Sequence, residues 1–142
     1  MISKKISFKD MNGEEREITA YFNLSEADQA ELSLIRKGGL KAYMEQCLDL
    51  DDDLGVVKFF RTMIEKSFGK KVRDPEYGLI FMKDPVETSK FMNSNAYTEL
   101  FKELMTNEKV AIEFIKGLPE APISDEEFEK AKDQVAIENS NV

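Results

Sequence analysis

The acidic run in DLDDDLGVVKFF, residues 49–60, has the spacing closest to a chemical motif: Asp49, Asp51 and Asp53 stand at the first three ligand positions of an EF-hand calcium loop. The match stops there. Such a loop bends at a glycine in its sixth position and closes with a bidentate glutamate in its twelfth. Leu54 and Phe60 occupy those places. Asp49, Asp51, Asp52 and Asp53 instead sit where a helix begins, and carboxylates there oppose the positive end of its dipole.

Other chemistry is as thinly supplied. The chain has no histidine and one cysteine, so zinc and iron ligand sets are not available. Cys47 falls at an apolar position of a helical pattern and has no histidine to act as its base, which reads as a buried, inert thiol. Gly69-Lys70-Lys71 lacks the upstream glycine and the following Ser or Thr of a phosphate-binding loop. Carboxylate pairs occur, but none lies in an apolar run that would raise a pKa for acid/base work. The expectation is a non-catalytic protein without cofactor, metal or small-molecule ligand.

The elements that position these residues follow from periodicity. Lys5-Ile6-Ser7-Phe8 alternates, Asn12-Gly13 offers the positive-φ residues of a tight turn, and Ile18 to Phe22 is β-branched and aromatic, predicting a β-hairpin over about 3–24. Ser25 with Asp28 three residues on predicts a capped helix to about Ile35, stopped by Gly38-Gly39. Leu40, Tyr43, Met44, Cys47 and Leu48 form the stripe of a short second helix.

From Leu54 to Phe68 the apolar residues Val56, Val57, Phe59, Phe60, Met63 and Ile64 cover about half the helix circumference, more than one core neighbour requires. That width predicts several packing neighbours, or a partner. Gly69 to Asp84 is Lys-rich and broken by Asp74-Pro75 and Tyr77-Gly78, consistent with a second hairpin or an ordered loop. Pro85 opens a helix to about Met92. Tyr97, Leu100, Phe101, Leu104 and Met105, then Val110, Ala111, Phe114, Ile115 and Leu118, mark two more, the last capped by Asn107 and ended by Gly117 and Pro119. These stripes read first as core. The fold class expected is mainly α with an N-terminal β-hairpin, a small single-domain bundle of five to six short helices.

Charge divides the chain. Its net charge is −8, which argues against nucleic acid because phosphate binding needs clustered Lys and Arg. Beyond Pro119, seven acids face only Lys130 and Lys132, a net of −5, so residues 1–118 carry −3. A globular unit over 1–118 and an acidic, flexible tail over 119–142 are expected. No apolar run approaches the ~20 residues of a membrane span, and MISKKISFKD lacks the apolar centre of a secretion signal. The chain therefore reads as cytoplasmic.

The order of segments carries a resemblance. A strand pair ending YFNLS at 21–25, then KGGL at 37–40, FG followed by a Lys-rich turn at 68–71, SNAYTELFKEL at 94–104 and AIEFIKGLP at 111–119 together resemble the tail assembly chaperones of long-tailed bacteriophages. The likeness spans residues 7 to 119, its last two segments are the most specific, and the acidic tail is less characteristic. It implies a small non-catalytic protein of the bacterial host cytoplasm that binds the tape measure protein, keeps that long helical polypeptide soluble and helps recruit tail tube protein around it. Self-association is a further expectation, and a structural virion component, a tail or connector subunit, is the alternative reading. Phe59, at the margin of its helix's apolar arc, Met63 on the same helix, and Ile112, directed away from the stripe of the last helix, are the partner-binding candidates.

Overall fold

Phe22 is the residue on which the elements converge. Its ring meets Phe68, Phe91 and Phe114 edge-on at centroid distances of 6.0, 5.9 and 5.2 Å, and Phe68 stacks on Phe91 at 4.5 Å. Offset and edge-to-face pairs of this kind add to the area buried. In the computed structural model the described residues are 1–35 and 53–119. They comprise β1 (Ile2–Lys9), β2 (Glu15–Phe22), α1 (Glu26–Ile35), α2 (Asp53–Ser67), β3 (Phe68–Asp74), β4 (Gly78–Met82), α3 (Pro85–Asn93), α4 (Asn95–Thr106) and α5 (Glu108–Gly117). The short helix expected over 40–48, Cys47, and the tail from Glu120 onward lie outside them.

The strands form one antiparallel sheet in the order β1-β2-β3-β4. This overturns the expectation of a helical bundle with a single hairpin: five helices and a four-stranded sheet among the described residues make an α+β fold. The sequence left this stretch open as a second hairpin or an ordered loop because its strands lie largely in water. Lys70 to Arg73 and Leu79 are exposed, so no half-buried alternation marks the run. A second reason is the junction. β3 begins at the residue after α2 ends, without a turn, and the buried Ser67 hydroxyl donates back to the Met63 carbonyl at that last helical turn.

Helix starts follow the sequence closely. Ser25 and Asp28 make a reciprocal capping box, Ser25 N–H to Asp28 Oδ2 at 2.9 Å and Asp28 N–H to Ser25 Oγ at 3.1 Å. Asp84 caps α3 ahead of Pro85, and Asn107 caps α5. The first turn is longer than the two-residue turn expected. Asp10 and Glu14 close a loop of three residues in which Gly13 takes φ 79°, the geometry of a turn followed by a left-handed glycine.

The sheet's inner face packs on helices. Ile6, Ala20, Phe22 and Phe68 are buried there, α4 crosses β1, and Lys4 reaches Glu103 of α4 at 3.2 Å. The wide apolar arc of α2 is filled from within the molecule, since Phe59, Phe60, Met63 and Ile64 are all buried. On α4 the centre of the buried face is Ala96, Leu100 and Leu104, with Phe101 half-buried at its margin against Tyr97. The core reaches through Pro119: Leu24 N–H donates to the Leu118 carbonyl at 2.7 Å, and the Met1 amino group to that of Pro119 at 3.1 Å.

Candidate partner-binding surface

β2 and β3 pair only at Tyr21 with Gly69 and Phe22 with Phe68. Beyond that root the second hairpin leaves the body. Its register, Lys70 with Met82, Lys71 with Phe81, Val72 with Ile80 and Arg73 with Leu79, sets Val72, Ile80 and Met82 on one face and Leu79 and Phe81 on the other, because side chains alternate. Tyr77 at the tip is 74% exposed, Leu79 60%, and Val86, at the start of the adjoining α3, 61%; Val72 and Met82 are exposed as well. A strand pair apolar on both faces and standing in water is what distinguishes a contact element from scattered surface apolar residues.

Two features hold this hairpin in shape. Asp74 Oδ1 accepts from the N–H groups of Glu76 and Tyr77 at 2.8 and 2.9 Å, and Gly78 takes φ 78°. At the root, Gly69 has no side chain because the Phe81 ring lies over it: a Cβ there would stand 2.4 Å from Phe81 Cε1 and 2.6 Å from the Met82 carbonyl oxygen. An aromatic laid across a strand glycine fixes β3 against β4.

The surface is cationic where the chain as a whole is acidic. Between Phe68 and Lys83, Lys70, Lys71, Arg73 and Lys83 outnumber Asp74 and Glu76 by two. Glu87 of α3 takes Lys70 at 3.4 Å and Lys90 at 3.3 Å, and these ammonium partners, Lys90 first, hold its carboxyl below the usual range. Lys83 pairs with Asp28 of α1. Burial raises the Asp28 pKa, but the bonds from Lys83 and from the Ser25 N–H and hydroxyl outweigh it, and the net shift is downward.

That pair borders an open groove of about 590 Å³ between α1, α2 and α3, also lined by Arg61, Glu65, Thr88 and Met92. Arg61 and Glu65 face each other at 3.9 Å. Among the described residues, each carboxylate with a displaced pKa, Asp10, Asp28 and Glu87, is displaced downward. Ionised, ion-paired acids make poor proton donors. No group of three or more Asp, Glu or Cys is placed to hold a metal among the described residues, and no helix there is long and apolar enough to cross a membrane.

The residues singled out in sequence are not brought together at this surface. Phe59 is 2% exposed and Met63 fully buried, both in the core, so the marginal position of Phe59 on its helix does not translate into exposure. Ile112 is half-buried and packs against the core from α5. The surface residues that sequence reasoning missed, Tyr77, Leu79, Met82 and Val86, carried one signal: GLIFM is an apolar run too short and too uniform to assign a buried face.

A family model described as phage tail assembly chaperone matches residues 1–140. The match reaches past the span of the resemblance read from the sequence and takes in the acidic segment that had looked less characteristic. No curated protein and no solved structure matches the chain significantly.

Proposed function

We propose, from the premise that this chain belongs to the phage tail assembly chaperone family, that it serves tail assembly by binding the tape measure protein through the second hairpin and the start of α3. Membership carries the tail assembly role and supports a non-catalytic one. The observation that supports the choice of surface is the exposed apolar set Tyr77, Leu79, Met82 and Val86 on an element that projects from the folded body. A long helical polypeptide awaiting its tube presents apolar stripes, and flexible methionine with aromatic and branched residues re-packs against many such stripes. Tail tube protein is then recruited around the held polypeptide in the host cytoplasm.

The test is co-expression of the tape measure protein with this chain. A soluble complex is expected to co-purify, and the combined Leu79→Ser, Met82→Ser and Val86→Ser variant is expected to lose capture about tenfold or more, near the effect of removing a small cluster of contact residues. Undiminished capture by that variant, with its melting temperature intact, would move the binding surface elsewhere. Presence of the chain in purified virions would favour the structural-component reading instead.

A further inference from the structure

The sheet has an outer face as well as the inner one that the helices cover, and its two hairpins differ there in charge. We infer that the outer face of the second hairpin is the docking surface of the chain's own acidic segment beyond Pro119, with Asp125-Glu126-Glu127-Phe128-Glu129 seated over Lys71 and Arg73.

Register places the surface. Phe22 and Phe68 lie opposite each other and are buried on the inner face, so Gly69, Lys71 and Arg73 fall on the outer one, with Leu79 and Phe81 across the strand pair. Lys71 and Arg73 are exposed beside an exposed Leu79 and a half-buried Phe81. No acidic residue of either strand shares that face, since Asp74 falls on the opposite one and accepts from the turn N–H groups. Among the described residues neither Lys71 nor Arg73 has a carboxylate within ion-pair distance, whereas Lys70 and Lys83 face Glu87 and Asp28. The first hairpin's outer face is balanced. It sets Lys5 and Lys9 among Glu15 and Glu17, and Lys5 already meets Glu17 at 3.3 Å.

The occupant follows from charge and reach. Residues 120–142 carry seven acids against two lysines, and DEEFE at 125–129 sets four carboxylates about one aromatic side chain. That stretch complements two cations beside an aliphatic and an aromatic residue. Pro119 bridges Leu24, two residues beyond Phe22, and strand spacings put Arg73 roughly 25 to 30 Å from it. The chain from Pro119 to Phe128 spans up to about 30 Å, so the tether holds these acids at high effective concentration over the hairpin. The family match to residue 140 takes in the same stretch. Ion pairs at an exposed face carry the contact, which makes it weak and salt-dependent. Met82 on the opposite face and Val86 on α3 lie off it, so the inference does not rest on the tape measure reading.

The experiment uses the full chain with Leu79→Cys and Ala131→Cys in a Cys47→Ala background. Oxidation at low salt is expected to link the two cysteines within one copy. In the control, Ser7→Cys replaces Leu79→Cys. Ser7 is also exposed on the outer face, five residues from Ile2 as Arg73 is five from Phe68, and Ile2 and Phe68 both lie opposite Phe22. The tether therefore reaches it as readily. The Leu79 variant is expected to link about tenfold faster than the control, and to lose that advantage in about 1 M salt, where charges are screened within about 3 Å. Lys71→Glu with Arg73→Glu is expected to remove the advantage as well, and adding Glu126→Lys with Glu127→Lys to restore it. Equal rates at the two positions, an advantage untouched by salt and by charge reversal, or a reversal that the second pair of substitutions does not rescue overturns the inference. Links between two copies alone would assign the surface to a second chain's acidic segment and overturn it likewise. The cross-link is read without tape measure protein, so its failure and that of the tape measure reading are separate results.

Discussion

The two hairpins are built with the same closing device and end in opposite situations. Each has an aspartate at the end of its first strand, Asp10 or Asp74, accepting loop N–H groups, and each uses a glycine near φ 78–79° to turn the chain. The first then lays Ile6 and Phe8 against the core beneath α4, sets Ile2 beside Gly117 of α5, and turns Ser3, Lys5, Ser7 and Lys9 to water. The second pairs with β2 only at its root, meets the body otherwise at α3 and through Lys83 with Asp28, and keeps apolar residues on both faces. Hairpin formation is thus local chemistry, while burial depends on whether a helix is available to cover the strand pair.

The largest effect is expected where both hairpins share a residue. Phe22→Ala removes the ring that meets Phe68, Phe91 and Phe114, and a loss of about 3–5 kcal/mol is expected, read from denaturant melts. A loss under about 1 kcal/mol would show that the cluster closes over the gap.

Gly69→Ala separates the hairpins. Its Cβ would meet both the Phe81 ring and the Met82 carbonyl oxygen, and overpacking against backbone costs about 1–3 kcal/mol. Hydrogen exchange is expected to quicken through β3 and β4 and to stay unchanged in β1. Equal acceleration in both hairpins would mean that they open as one unit.

The pair Lys83 with Asp28 ties the second hairpin's exit to α1. The Asp28 pKa lies below its ordinary 3.8 in the folded chain, so its contribution is present above that value and is lost as pH falls through the lower, folded one. With both side chains partly exposed, Asp28→Asn is expected to cost about 0.5–1 kcal/mol at neutral pH, and the difference from wild type should close as pH falls below about 4. A gap constant between pH 7 and pH 3 would assign the cost to the capping bonds with Ser25 instead.

Smallest of all is the stability change expected for Leu79→Ser, within about 0.5 kcal/mol, against about 2–4 kcal/mol for Ile6→Ala at the buried position of β1. Similar losses from the two would show that the second hairpin's face is covered, and would end the comparison.

Local signals were read well from the sequence. The capping box at Ser25, the cap at Asn107, Pro85 at the start of α3, and the stripe of α5 through Leu118 each depend on neighbours within four residues. Family membership was legible too, since the order of short segments survives without any knowledge of packing, and the matched span of 1–140 is wider than that reading. Phe101 and Phe59 show the limit. Helical phase puts Phe101 within its stripe and Phe59 at the margin of its arc, yet Phe101 is only half-buried while Phe59 is buried, because the neighbours on each side differ.

The sequence by itself determined where the helices at Ser25, Pro85 and Asn107 begin, that Asn12-Gly13 turns the first hairpin, and that the given residues include no histidine, because these follow from residue identity and short-range geometry. Only the tertiary structure decided that Phe68–Asp74 and Gly78–Met82 are strands of one sheet with the N-terminal hairpin, and that Leu79 and Met82 are exposed while Phe59 and Met63 are not. Strand pairing and exposure depend on residues tens of positions apart, as Tyr21 does on Gly69. A hydrophobic run records that its side chains avoid water, and its neighbours in space decide whether they succeed.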